Sequence, residues 1–274
     1  MSDFLKHRKE NGHSVVPKDL RILIVDDDDL NQRLLSMILS KDKYKLTVSY
    51  DGYDALKSLE KDAYDLVFMD IRIPRVNGFE VCEHIRGGNF VNQKTPIVAL
   101  TALPSRNEKL QDFLDRGMFT RCIHKPFDVS QIEEILNAIK ENKQERVSFT
   151  SVPTKQEVTE KPVINIEKVM PIFGDDMDVY EGLFNEFLRS LPERVANIQQ
   201  SEKKRDWKQL SRLGHNLTGI TRNFGAEKLS DLAEQLDNEA GKGHASVVQH
   251  LVNEIAECVP ELKDAYAVLI AKNH

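Results

Sequence analysis

Tyr64-Asp-Leu-Val-Phe-Met-Asp70-Ile-Arg-Ile-Pro74 reads as a buried strand that ends on a carboxylate. Leu66, Val67 and Phe68 suit an enclosed, pleated environment, and Pro74 stops any regular continuation. In an open parallel sheet the carboxyl ends of strands gather ligands and chemistry. Asp70 is therefore a candidate nucleophile or metal ligand, against the plainer reading of a surface aspartate capping a loop. The flanking segments decide between the two.

Upstream, Arg21-Ile-Leu-Ile-Val25 is a short apolar strand running into Asp26-Asp27-Asp28-Asp29. Leu30 to Leu39 has helical spacing, with acidic residues at its start as a helix N-terminus prefers. Asp28 and Asp29 read as a solvated helix start. Lys45–Tyr50 alternates like a half-exposed strand, and Gly52–Asp62 is a short helix. Downstream come a helix at Gly78–Arg86, a strand at Pro96–Thr101, a helix at Ser105–Arg116, a strand at Phe119–His124 and a helix at Ile132–Lys140. Strand and helix alternate throughout, which implies a doubly wound parallel sheet covered by helices on both faces, a (βα)5 α/β fold. Residues 1–17 read as a flexible N-terminal arm, 18–141 as the α/β domain, and 142–164 as a solvated linker without apolar periodicity. No strand signal returns in 165–274. Met177–Ser190, Pro192–Lys203, Asp206–Phe224, Ala226–Ala240 and Ala245–Lys272 look helical and imply an all-α four-helix bundle.

Composition bounds the function. A chain of 274 residues is long enough for two domains. Its net charge of −6 argues against a nucleic-acid or membrane surface as main partner. No apolar run approaches the roughly 20 residues of a membrane span, and no signal-peptide core is visible. Three separated cysteines, Cys82, Cys122 and Cys258, form neither a metal motif nor an even disulfide set, which fits a reducing cytoplasm. The opening Met1 and polar arm suggest a free protein rather than the end of a longer one.

Parallel connectivity brings Asp26, Asp27, Asp70, Thr101 and Lys125 to one sheet edge. Three carboxylates cannot share a pocket ionised without counter-charge. A hard divalent cation such as Mg²⁺ would supply it, with Lys125 as a point charge and Thr101 as a hydroxyl donor. Carboxylate nucleophile, metal, lysine and hydroxyl together describe phosphoryl transfer onto aspartate.

On these motifs, Val25-Asp-Asp27, Met69-Asp70-Ile-Arg-Ile-Pro74, Ala99-Leu-Thr101-Ala and His124-Lys125-Pro126-Phe127, residues 20–141 resemble a response-regulator receiver domain. The resemblance implies that Asp70 accepts the phosphoryl group, and that Asp27, Asp70 and the Arg72 carbonyl bind Mg²⁺. Asp26 would act largely through water on the ion, and Thr101 and Lys125 would hold phosphoryl oxygens. It also implies a cis Pro126; Phe127 reads as packing beneath Lys125 rather than as a recognition residue. Cys122 stands where family members often carry an aromatic switch residue. Arg72 and Leu103, two positions after the aspartate and the threonine, are poor at orienting an attacking water, which implies a comparatively long-lived acyl phosphate.

The second half carries His215 in Asp206-Trp-Lys-Gln-Leu-Ser-Arg-Leu-Gly-His215-Asn-Leu-Thr-Gly219. At about 100° per residue, Leu210, Leu213, Leu217, Ile220 and Phe224 lie opposite His215, so the imidazole is expected to face solvent. Lys208, Arg212, Thr218, Gly219 and Arg222 share its side, and Gly219 leaves room for a partner's approach. With Asn223-Phe-Gly225-Ala following, residues 165–272 resemble a histidine-phosphotransfer (HPt) domain, with Thr218 where the family has lysine. The combined resemblance implies a two-component phosphorelay protein in which Asp70 takes a phosphoryl group from a phosphohistidine and exchanges it with His215 or a partner. Its partners would be a sensor histidine kinase or hybrid kinase and a downstream response-regulator receiver. Whether the two domains meet within one chain stays open. The alternative is a phosphorylation-gated interaction module, or phosphate sink, in which His215 is not used. No Gly-rich ATP site is visible, Gly241-Lys-Gly243 lying in a polar turn, so the chain reads as a relay without an ATP-dependent kinase domain.

Overall fold

Five short strands form the centre of the first domain: β1 (Arg21–Val25), β2 (Lys45–Ser49), β3 (Leu66–Asp70), β4 (Ile97–Thr101) and β5 (Arg121–His124). The computed structural model describes residues 20–40, 44–102, 107–140 and 162–273. The expected arm at 1–17, the linker up to residue 161, and Leu103 lie outside the described residues. All strands are parallel, in the order β2-β1-β3-β4-β5. Every residue of β3 and β4 is buried, which is why both read as unbroken apolar runs rather than alternating ones.

Helices α1 (Asp29–Leu39), α2 (Gly52–Lys61), α3 (Gly78–Gly87), α4 (Glu108–Asp115) and α5 (Val129–Lys140) cover the two faces. Their starts are set by side chains that satisfy orphan backbone N–H groups. Asp28 accepts from the amides of Leu30 and Asn31, Asp51 caps α2, and Asn77 with Glu80 forms a capping box on α3. Register levels the strand exits: Val25 pairs with Met69, Asp70 with Leu100, and Thr101 with His124. Asp26, Asp70, Thr101 and Lys125 therefore emerge along one edge. The fold is the doubly wound α/β sheet that the sequence implies.

The second half is helical, as expected: α6 (Met177–Lys203), α7 (Trp207–Asn223), α8 (Glu227–Lys242) and α9 (Ala245–Asn273), preceded by a 3-10 turn at Met170–Phe173. In its core Phe187 stacks on Phe224, Phe184 meets Phe187 edge-on and Tyr180 tilts against Phe184, and the Tyr180 hydroxyl donates to the Phe224 carbonyl at 3.1 Å. One difference from the sequence reading concerns Pro192, which lies inside α6 instead of starting a new helix. It sits on the exposed face of α6, and a proline there removes one backbone hydrogen bond from the helix.

The two halves pack together. Helix α1 lies against α7 and the 3-10 turn, and one apolar cluster runs from Ile22, Leu30 and Leu34 through to Leu217, Ile220 and Phe224.

Candidate functional site

The acidic edge is held by a lysine. Lys125 Nζ donates to Asp26 Oδ2 at 2.8 Å and to Asp70 Oδ2 at 2.7 Å, and all three side chains are buried. Lys125 follows β5 and precedes a cis Pro126, and its ammonium lies 5.9 Å from the centre of the Phe127 ring. Asp70 Oδ1 also accepts from the Arg72 amide at 2.9 Å. Burial alone would raise the Asp70 carboxyl, but Lys125, with His215 and the Arg72 amide, holds it below the ordinary carboxylate value. Burial likewise opposes the charge on Lys125, yet Asp26 and Asp70 keep it firmly protonated. Asp26 is pushed up to about 7, first by burial and then by Asp70 and Asp28, against the pull of Lys125. Asp27 is pushed up to about 6 by burial and by Asp70. One lysine does not neutralise this many carboxylates. Thr101 is fully buried at the end of β4.

Helix α7 lies across this edge. Asn216 Nδ2 donates to Asp27 Oδ2 at 2.8 Å. Arg222 Nη1 donates to the Ala102 carbonyl at 2.8 Å, just past Thr101. Gly219 faces Lys125: a Cβ at that position would stand 3.1 Å from the lysine Cδ. The Asn223 carboxamide is fully buried, donating to Asn31 Oδ1 at 2.9 Å and accepting from the Phe127 amide at 3.0 Å. Asn31 in turn donates to Asp26 Oδ1 at 3.3 Å. A buried polar path thus runs from the acidic edge into the helical half.

His215 is 4 % exposed, which corrects the expectation that its imidazole faces solvent. The helix face turned from the bundle core is covered by the α/β domain, and α8 flanks it as well. From α8, Asp237 Oδ2 lies 3.3 Å from His215 Nδ1. Asp237 also accepts from Arg72 Nη1 at 2.6 and 2.7 Å and from Ser211 Oγ at 2.5 Å. Burial opposes its ionisation, but the His215 bond, Arg72 and Ser211 hold it below the usual value. A second expectation is also corrected. Asp28 is not solvated: it is 5 % exposed, and Arg194 Nη1 of α6 donates to its Oδ2 at 2.6 Å.

The residues expected around His215 divide. Gly219 sits at the domain contact, and Arg212 Nε is buried without a hydrogen-bond partner in the described structure. The Thr218 hydroxyl is committed to the Gly214 carbonyl at 2.8 Å. Arg222 is held by Ala102 and by Glu234. Lys208 is exposed, about 10 Å along the helix axis from His215. Asn31, Arg194, Asn216, Asn223 and Asp237 were not singled out as site residues from sequence. For Asp237 a signal existed: it falls on the buried stripe of Ala233, Leu236 and Ala240, where an unpartnered carboxylate is costly.

Asp26, Asp27 and Asp70 offer the oxygen donors that a hard cation uses, and their unbalanced charge suits one. Among the described residues no three His, Cys, Asp or Glu side chains converge as a metal cluster. Lys125 holds one oxygen each of Asp26 and Asp70, and Asn216 holds one of Asp27. Mg²⁺, which keeps several waters, needs few protein ligands.

The response regulator receiver domain family matches residues 22–137, and the Hpt domain family matches residues 182–267. Among curated relatives, Response regulator ArlR of Staphylococcus saprophyticus is 36% identical over 44% of this chain and 50% of its own length. ArlR of Staphylococcus aureus is 34% identical over 43% and 52%. The chain thus spans about half the length of the curated relatives it matches. Two solved structures resemble it. One is the receiver domain of the Pseudomonas aeruginosa sensor histidine kinase PA1611, described with a magnesium ion in its active site cleft (29% identity, 45% of this chain and 99% of that one, TM-score 0.41). The other is chemotaxis response regulator CheY4 of Vibrio cholerae (27% identity, 44% and 99%, TM-score 0.40). No described helix is long and apolar enough to cross a membrane. On the two family matches, the chain carries a response regulator receiver domain followed by an Hpt domain.

Proposed function

We propose that this chain relays a phosphoryl group between Asp70 and His215 within one molecule, after Asp70 has taken it from a phosphohistidine of a sensor or hybrid kinase. The docking of the His215 helix over the Asp26–Asp70–Lys125 edge carries this reading: Asn216, next to His215, donates to Asp27, and Gly219 faces Lys125.

Asp70 is the acceptor because Lys125 and the Arg72 amide keep it ionised inside the protein. One Asp70 oxygen attacks phosphorus as the bond to the donor nitrogen breaks. Lys125 and Thr101 hold the phosphoryl oxygens, where fixed charge in a dry site stabilises the transferring group. Mg²⁺, held by Asp26, Asp27, Asp70 and the Arg72 carbonyl, would supply further charge neutralisation. The buried, unpartnered Arg212 Nε one turn before His215 is a donor suited to a phosphoryl oxygen there. The Arg72 side chain is bound to Asp237, which removes it from any part in directing water and supports a long-lived acyl phosphate. Downstream, His215 would pass the group to a separate receiver.

The test is phosphotransfer from acetyl phosphate with Mg²⁺, reading the two labels by chemistry. Acyl phosphate on Asp70 is base-labile; phosphoimidazole on His215 is base-stable. Base-stable label that disappears in both Asp70→Ala and His215→Ala is the expected result. Label confined to Asp70, with His215→Ala indistinguishable from the parent, would favour the gated-interaction alternative.

A further inference from the structure

Asp237 belongs to neither family motif, yet it touches His215 on one side of the domain contact and Arg72 on the other. We propose that Asp237 is a positioning residue for phosphoryl transfer at His215, and that its ion pair with Arg72 couples this positioning to docking of the chain's own receiver. The inference rests on the reading of His215 as the histidine that exchanges with Asp70.

The argument is one of donors and acceptors. Asp237 takes the Arg72 guanidinium on both oxygens and the Ser211 hydroxyl on one. A carboxylate so placed is ionised and can only accept. In the neutral ring the contact of its Oδ2 with His215 Nδ1 places the proton on Nδ1, and Nε2 then carries the free electron pair. That nitrogen is the nucleophile. Its pair forms the N–P bond as the P–O bond to Asp70 breaks, and Asp70 leaves as a carboxylate with the bonding electrons. No proton moves: Nδ1–H stays on its hydrogen bond, and the ring becomes a phosphoimidazolium whose positive charge lies against Asp237. The same carboxylate thus selects the reacting atom and stabilises the charge that develops.

Arg72 makes the arrangement specific. Its amide donates to Asp70 and its guanidinium reaches Asp237, so one residue of the receiver loop spans both ends of the transfer. A receiver without an arginine at this position leaves Asp237 with one fewer partner.

The full chain is charged with acetyl phosphate and Mg²⁺, and the base-stable label on His215 is timed relative to label on Asp70. Imidazole tautomers are read in parallel from long-range ¹H–¹⁵N correlations. The parent is expected to show His215 protonated at Nδ1. Asp237→Asn, of matched size, is expected to lose that tautomer preference and to slow transfer about 10- to 100-fold, the equivalent of one hydrogen bond to a charged group. Arg72→Ala is expected to slow transfer less and to leave the tautomer in place. Asp237→Asn transferring at the parent rate, or an Nε2-protonated parent, overturns the proposal while leaving the relay intact. A parent that never labels His215 defeats the relay reading itself.

Discussion

Asp26 and Asp70 share the ammonium of Lys125 in a site almost closed to water, and the balance is fragile. Removing one partner of a buried charge set leaves the others uncompensated, at a cost of roughly 3–5 kcal/mol. Lys125→Met fills the same volume without charge. We expect it to lower unfolding free energy in urea by about 3 kcal/mol; a loss below about 1 kcal/mol, as for an exposed pair, would contradict this account of the site. Asn223 makes a smaller case. Its truncation to Ala strands the Phe127 amide and Asn31, and we expect a loss of about 1–3 kcal/mol in the same measurement. These two residues differ in how legible they were. Asp26, Asp70 and Thr101 end apolar runs at strand exits, and Lys125 stands with Pro126 at the exit of the fifth strand, so sequence exposes all four. Asn223, Asn216 and Arg194 bond partners more than 90 residues away. Helical spacing assigns each a face but not what covers that face, and for this reason His215 was expected in solvent.

At the scale of elements, the close pairing of α7 with α8 sets where Asp237 stands beside His215. Gly214 makes that pairing possible: a Cβ there would lie 2.8 Å from the Asp237 amide nitrogen and 2.9 Å from the Ala233 carbonyl oxygen. Both are backbone atoms that cannot swing aside. Helix propensity favours Gly214→Ala by about 1 kcal/mol, whereas overpacking costs about 1–3 kcal/mol. The steric term is expected to win, so Gly214→Ala should lower the thermal midpoint and slow transfer to His215. A raised midpoint would show that the helices separate freely. Element types were largely readable, because apolar period and caps agree: Asp28, Asp51 and Asn77 stand where helices begin. Local sequence does not reveal that α6 continues past Pro192, which sits on its exposed side.

Across the whole molecule the domains meet through Arg72–Asp237, Arg194–Asp28, Arg33–Glu186 and the Asn31–Asn223 path. Arg194→Glu sets a negative charge against buried Asp28 and is expected to part the domains, seen as a larger radius of gyration in small-angle scattering; an unchanged radius would show that this contact does not hold them. Exchanging the partners of the exposed pair, Arg33→Glu with Glu186→Arg, should leave the radius as it was. Tethering makes the second encounter intramolecular, at an effective concentration of about millimolar. The most direct measurement follows from this. A chain carrying Asp70→Ala is mixed with one carrying His215→Ala, so that Asp70 and His215 can exchange only between molecules, and base-stable label is timed against the parent at several protein concentrations. Transfer in the parent should be independent of concentration, and the micromolar mixture at least about tenfold slower. A mixture that labels His215 as fast as the parent would contradict a relay within one molecule.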